Sequence, residues 1–416
     1  MKAIVFVILS VSVASGLGEK ARFDNYRVYS IEVENNEQLQ VLKELENQQN
    51  GLLFLAPPTA TQTFVELIVP PHKFADISEL CEKFRMKNDL KIDNLQRLID
   101  EEQPSLTTRA AYGWKQYHTI DEIYDWLDQM TRRYPRELTN YNIGKTYEKR
   151  NIRAVKLSHN PERKNPTIFI ESTIHAREWI TVATATYVLN ELLTSNDPEV
   201  REMATKYDWV FVPVANPDGY VYSHSSNRMW RKTRKPQRNS CFGVDANRNF
   251  AFHHAATGGS TNPCSETYAG AKAFSEPETL ALAEFIKSFD NIRLYLSFHS
   301  YGQMLLFPYG HSKNRAVNFN SLNQIGIKAK EAIQKRYGAK YSIGSIAEVL
   351  YLASGTSIDW VHATQSVPLA FTFEFRDSRN GRYGFVLPAS QIIPNALETM
   401  DGLKAMLKEA KLRQYL

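Results

Sequence analysis

Cysteine is scarce in this chain, with three in 416 residues. So few exclude a disulfide-framework protein and a closed, cysteine-rich structural zinc site. No apolar run reaches the roughly 20 residues that span a bilayer. No block of Lys and Arg stands out and the net charge is only +5, so nucleic acid is a poor partner. Low-complexity tracts and internal repeats are missing, which excludes disordered, collagenous and coiled-coil proteins. No Asn-x-Ser/Thr site with x other than Pro occurs, so N-glycosylation is not expected. What remains is an ordinary globular composition, 43% hydrophobic and 23% charged, in a chain long enough for one to three domains and a large core.

Residues 1–16 read as a secretory signal and not as part of a fold. Met1-Lys2 gives a short positive start, residues 3–13 are apolar apart from two serines, and Ala14-Ser15-Gly16 offers small residues to a signal peptidase. The mature protein is then expected to be soluble, secreted and extracellular. In that oxidising setting Cys241 and Cys264, close in sequence, should pair. The closed loop is of order 20 residues and contributes about 3 kcal/mol in the chain-entropy model. Cys81 lies in a stretch with helical apolar spacing, Ile77 to Phe84, and reads as a buried thiol acting as a small hydrophobe.

Charge divides the chain. Residues 17–109 hold 11 Lys and Arg against 16 Asp and Glu, so the rest carries the basic excess. Opposite charges favour docking of one part on the other. The acidic part reads as a small domain: strand 26–33, helix 37–46, strands 52–55 and 64–69, helix 72–87 and strand 90–92. That order is the split βαβ pattern of an α+β open sandwich. Residues 93–102 read as a connecting helix. Thr107-Thr108-Arg109 reads as an exposed site for a trypsin-like protease cutting after Arg109. The layout suggests three segments: signal 1–16, removable propeptide 17–109, and a larger domain 110–416.

The larger domain alternates strands (167–171, 209–214, 294–298, 370–374) with helices (119–134, 179–193, 276–289, 321–337, 393–412). Near-continuous apolar strands in that alternation predict an α/β fold, with a mixed, mostly parallel sheet and helices on both faces. Reactive side chains sit where the strands end. His175-x-x-Glu178 opens a helix after the first strand, and His299 ends the third. Two imidazoles and a carboxylate suit zinc and leave a fourth position open, as a catalytic site needs. His-x-x-Glu alone reads equally as a surface pair, and its weight comes from His299. Glu374 ends an apolar strand, where a carboxylate is costly without a task. It reads as a general base for water at the zinc or, equally, as an ion-pair partner of Arg376. Arg231 and Arg248 lie in loops and are carboxylate-binding candidates, although each alone also reads as a solvated surface arginine.

Eight segments occur in order: His175-Ala-Arg-Glu-Trp179, Asn216-Pro-Asp-Gly219, Arg228-Met-Trp-Arg-Lys-Thr-Arg234, Gly243-Val-Asp-Ala-Asn-Arg-Asn249, Cys264-Ser-Glu-Thr-Tyr268, Ser354-Gly-Thr-Ser-Ile-Asp-Trp360, Phe371-Thr-Phe-Glu-Phe-Arg-Asp377 and Leu387-Pro-Ala-Ser-Gln-Ile-Ile393. Together they resemble the digestive zinc metallocarboxypeptidases, the carboxypeptidase A/B family, over essentially the whole chain. The resemblance implies one Zn2+ on His175, Glu178 and His299, the ligand set typical of that family. It implies Asp245 as the acceptor that orients His175, Glu374 as general base, and Arg231 as a donor to the developing oxyanion. Asn247, Arg248 and Tyr351 match the grip on the free C-terminal carboxylate of a peptide substrate, which implies exopeptidase action. Arg177, Ser300 and Tyr301 match the next subsites back along the peptide. The propeptide matches an intramolecular inhibitor that covers the cleft.

Side-chain preference follows from the same match. Ile358 corresponds to the residue facing the tip of the bound side chain, where members that prefer Lys or Arg carry Asp. With Leu306, Ile346, Leu350 and Ala353 as further walls, the pocket is expected to take apolar or aromatic C-terminal residues, because a basic one would bury an unpaired charge. Thr356 stands where the pancreatic A forms usually carry Gly, and its bulk is expected to shift preference toward smaller apolar residues. Two other classes stay open: an amidohydrolase acting on acylated amino acids, and a catalytically silent peptide-binding relative. Asn247, Arg248, Tyr351 and the propeptide speak against the first. The retained Glu374 and zinc ligands speak against the second.

Overall fold

The computed structural model describes residues 20–48, 50–103 and 112–416. The signal segment and the cut site at Arg109 lie outside the described residues.

Alternation along the strands builds the smaller sheet. β1 (Arg27–Val33), β2 (Leu53–Ala56), β3 (Thr63–Val69) and β4 (Asn88–Ile92) pair antiparallel in the order β2-β3-β1-β4. Ile31, Val33, Val65 and Leu67 face the helices Asn36–Glu46 and Phe74–Lys83, meeting Leu42, Ile77 and Cys81. Val28 and Ile68 point the other way and pack with Met229, Phe385 and Val386 of the larger domain. The sheet is therefore buried on both faces. Cys81 is the buried thiol that was expected. The expected helix 72–87 is shorter: Pro71–Lys73 form a single tight turn, the α-helix ends at Lys83, and Arg85 takes a left-handed φ of +51°.

The larger sheet has eight strands: β5 (Leu138–Lys145), β6 (Asn151–Leu157), β7 (Thr167–Ser172), β8 (Asp208–Val212), β9 (Ile292–His299), β10 (Met304–Phe307), β11 (Ser342–Ser345) and β12 (Leu369–Glu374), in the order β11-β10-β12-β9-β7-β8-β6-β5. β12, β9, β7 and β8 run parallel through the centre, while β6, β5 and the β10–β12 pairing are antiparallel. The central strands are apolar because both faces are covered. Helices Ile120–Arg133, Trp179–Thr194, Phe319–Tyr337 and Ile392–Leu412 pack on one side, and Pro277–Lys287 and Ser357–Thr364 on the other. The carboxyl ends of β7, β9 and β12 therefore open at one rim, where ligands bind in open α/β sheets. Cys241 and Cys264 form the expected disulfide across 23 residues, with Cα atoms 5.2 Å apart.

Candidate zinc centre and substrate cleft

Sheet register brings the reactive side chains together. Glu374 lies opposite His299 at the ends of the parallel strands β12 and β9. On the other side of β9, the chain leaving β7 turns to His175 and Glu178 and enters the helix Trp179–Thr194. The Thr173 amide donates to Thr181 Oγ1 at 3.0 Å, and Thr181 Oγ1 donates to the Glu178 carbonyl at 2.7 Å, which fixes this turn.

His175 Nδ1 is 2.9 Å from Glu178 Oε1, and His299 Nδ1 is 3.1 Å from both Glu178 Oε2 and His175 Nδ1. All three residues are buried. Tetrahedral zinc with bonds of about 2.0–2.1 Å spaces its ligand atoms by roughly 3.3 Å, close to these separations. The cluster also demands positive charge. Burial lowers His299, but Glu178 more than offsets this and raises it to about 9. Burial likewise raises Glu178, yet His175 and His299 hold its carboxyl well below the usual range. A cation fits both the spacing and the charge.

His175 Nε2 faces Asp245 Oδ1 at 3.0 Å, so the ring donates there and turns the Nδ1 lone pair into the cluster. Asp245 Oδ2 accepts from Arg231 Nη2 and Nε at 2.8 and 3.2 Å. Burial opposes ionisation of Asp245, but Arg231 and His175 hold it far below the carboxylate range. Arg231 Nη1 comes within 3.9 Å of Glu178 Oε1, at the rim of the cluster. Ser300 contributes its backbone N–H, which donates to Glu178 Oε2 at 3.2 Å. Arg376 is not the partner of Glu374: it binds Glu398 through Nε and Nη2 at 2.9 and 2.5 Å, and Gln391 at 2.8 Å. Burial pushes Glu374 up to about 8.

Beside the cluster, Arg248 donates to the carbonyls of Asn247 and Gly258 at 2.8 and 3.1 Å and to the Tyr351 hydroxyl at 3.3 Å. Asn247 Oδ1 accepts the Ser357 amide at 2.9 Å, which turns its Nδ2 toward His299 Nε2 at 3.3 Å. Gly355 lets the chain pass this point. Its φ is +69°, and a Cβ there would stand 2.3 Å from the Arg248 carbonyl oxygen. Leu306, Ile346, Ala353 and Ile358 share one buried cluster, with Leu350 and Tyr351 packed at its edge. Thr356 is buried, and its hydroxyl caps the helix Ser357–Thr364 by accepting the Asp359 amide at 3.3 Å.

The smaller domain closes this cleft. The Tyr301 hydroxyl binds Glu66 of β3. Arg177 is fully buried, pairs with Glu266 at 3.0 Å, and donates to the carbonyls of Met229 and, in β2, Leu55 at 3.3 and 3.4 Å. Arg228 lies 3.8 Å over the Trp179 ring and grips Glu102 through Nε and Nη2 at 2.7 and 2.5 Å. Sequence reading missed Glu66, Glu102 and Glu266. No spacing marks them, and Asp100-Glu101-Glu102 looks like a solvated acidic run.

The zinc carboxypeptidase family model matches residues 123–402, and the carboxypeptidase activation peptide model matches residues 29–102. The chain is 43% identical to zinc carboxypeptidase A 1 of Anopheles gambiae, over 98% of this chain and 95% of that one. It is 38% identical to carboxypeptidase A1 of Bos taurus, over 97% of each. Among solved structures, thrombin activatable fibrinolysis inhibitor superposes with a TM-score of 0.85 at 31% identity, covering 93% of this chain and 98% of that one. Carboxypeptidase A from Helicoverpa armigera gives 0.84 at 28%, covering 94% and 98%. Fold and site thus define a zinc metallopeptidase that carries its own propeptide domain. The chain belongs to the zinc carboxypeptidase family and carries that family's activation peptide. It is a zinc-dependent metallocarboxypeptidase made as a zymogen.

Proposed function

We propose that the protein is secreted, is activated by a trypsin-like cut after Arg109, and removes apolar or aromatic residues from the C-termini of peptides. The division 1–16, 17–109 and 110–416 goes with this reading, and both family matches fall inside its boundaries. The observation that carries the proposal is Arg248, nearly buried among Asn247, Gly258 and Tyr351 beside the His175–Glu178–His299 cluster. A buried guanidinium without an anion is costly. The free carboxylate of a peptide terminus supplies that anion, and an internal peptide bond does not. The apolar cluster around Ile358 suits an apolar side chain, in keeping with the A-type names of the insect and bovine relatives.

Zinc, when bound, supplies Lewis acidity that polarises a carbonyl and lowers the pKa of water. Glu374 takes a proton from the attacking water as the new C–O bond forms. It returns that proton to the amide nitrogen as the C–N bond breaks, releasing the terminal amino acid. Arg231 donates to the carbonyl oxygen as negative charge builds there, held by its two bonds to Asp245. Such a donor is worth about 3 kcal/mol of the barrier. Arg177 and Tyr301, freed of Leu55 and Glu66, hold the upstream peptide. The test compares one blocked peptide as free acid and as C-terminal amide. Activated protein should release the last residue from the acid and leave the amide intact. Equal hydrolysis of both would contradict the proposal.

A further inference from the structure

Glu171 is the penultimate residue of β7 and is completely buried. Placing a carboxyl in the middle of a sheet costs several kcal/mol unless its oxygens are satisfied. Only one is. Oε1 accepts from Ser297 Oγ at 2.5 Å and from Ser357 Oγ at 3.1 Å, while Oε2 has no hydrogen-bond partner among the described residues. So incompletely compensated a group calls for a reason, and its two partners supply one.

Ser297 sits opposite Glu171 in the register of β9, two residues before His299. Ser357 is the first residue of the helix Ser357–Thr364 and directly precedes Ile358. The Ser357 amide also donates to Asn247 Oδ1 at 2.9 Å, the bond that orients the Asn247 amide beside Arg248. One carboxyl oxygen therefore ties the strand bearing a zinc ligand to the helix bearing the pocket residue. Through Ser357 it reaches the loop bearing Asn247 and Arg248. Two hydroxyls converging on one buried oxygen make it a fixed post.

We propose that Glu171 is a positioning residue that sets, through Ser357, the geometry with which Asn247 and Arg248 hold the substrate's terminal carboxylate. It touches neither substrate nor metal. This inference rests on the carboxypeptidase reading and adds a residue to it.

The test uses the full chain, activated, with three substitutions. Glu171→Met keeps volume and removes the acceptor, Ser357→Ala removes the donor while keeping the amide, and Glu171→Gln keeps an acceptor oxygen. Two probes separate the carboxylate grip from the metal: free phenylalanine as a product carrying a carboxylate, and acetohydroxamate as a metal ligand without one. Glu171→Met and Ser357→Ala should each raise KM for a blocked dipeptide ending in Phe about tenfold and weaken phenylalanine inhibition equally. Both should leave kcat within about twofold and acetohydroxamate inhibition and zinc content unchanged. Glu171→Gln should restore most of the loss, and the double variant should add little to either single one, as for residues in one chain of contacts. Parent-like KM in both single variants would overturn the inference. So would equal weakening of both probes, or loss of zinc, because either marks general damage to the site. A parent protein that releases no Phe would overturn the carboxypeptidase reading itself, and this inference with it.

Discussion

Asp245 shows how single residues couple the parts of this site, because its two oxygens separately orient His175 and hold Arg231. In the proposed mechanism Glu374 carries the proton traffic. Glu374→Gln should lower kcat by at least about 100-fold, the usual span of general acid–base catalysis, with zinc content unchanged in elemental analysis. The proposed preference rests on Ile358, so Ile358→Asp should move the preferred C-terminal residue from Phe toward Arg in kcat/KM. Thr356 spends its hydroxyl on a helix cap, and we propose that its methyl is the bulk that bears on the pocket. Thr356→Gly should shift preference toward Phe and Trp, and an unchanged ranking would discard that role. Away from the site, burial raises Glu278 to about 7, against about 4.3 in an unfolded chain. Between those values the folded state binds more protons than the unfolded one, so stability falls as pH rises through the window, by on the order of 3 kcal/mol in all. Glu278→Gln should flatten the loss of melting temperature between pH 5 and pH 8.

The same pattern of partners explains what the sequence could and could not reveal at the scale of elements. Strands β7, β8, β9 and β12 were legible because burial on both faces makes them continuous apolar runs. Strand β5, Leu-Thr-Asn-Tyr-Asn-Ile-Gly-Lys, was not: it is an edge strand with a mostly polar face. β10 and β11 have four residues each, too few to show a period. The helix Pro217–Ser225 is rich in poor helix formers and shows no helical apolar spacing. Its Asn216 cap and its burial create it. The metal cluster was legible because His175 and Glu178 lie three apart at the start of a helix that follows an apolar strand, and His299 closes another such strand. The choice between base and ion pair at Glu374 was not, since the partner of Arg376, Glu398, arrives from the distant helix Ile392–Leu412. At this scale the contact to test is Glu102 against Arg228, both about 1% exposed. Removing one partner of such a pair costs about 3–5 kcal/mol. After the activating cut, Glu102→Gln should let the propeptide leave faster, measured by gel filtration over time. Unchanged co-elution would show that other contacts hold it.

For the whole molecule, the acidic first part and basic remainder meet as their charges suggested. Glu102 pairs with Arg228, Glu66 binds Tyr301, and the Ser265 hydroxyl donates to Glu46 at 3.2 Å. The sheet face carrying Val28 and Ile68 then seals apolar surface on the larger domain. In the proposed reading, latency is built from the same residues that later face the peptide. No helix among the described residues is long and apolar enough to cross a membrane. The most direct test of the account assays the purified protein before and after trypsin, with and without a zinc chelator, on two blocked dipeptides ending in Phe and in Arg. The account predicts release of Phe only after trypsin, its loss on chelation, its return with zinc, and little release of Arg. Full activity before the cut, activity indifferent to the chelator, or release of Arg in preference to Phe would contradict it.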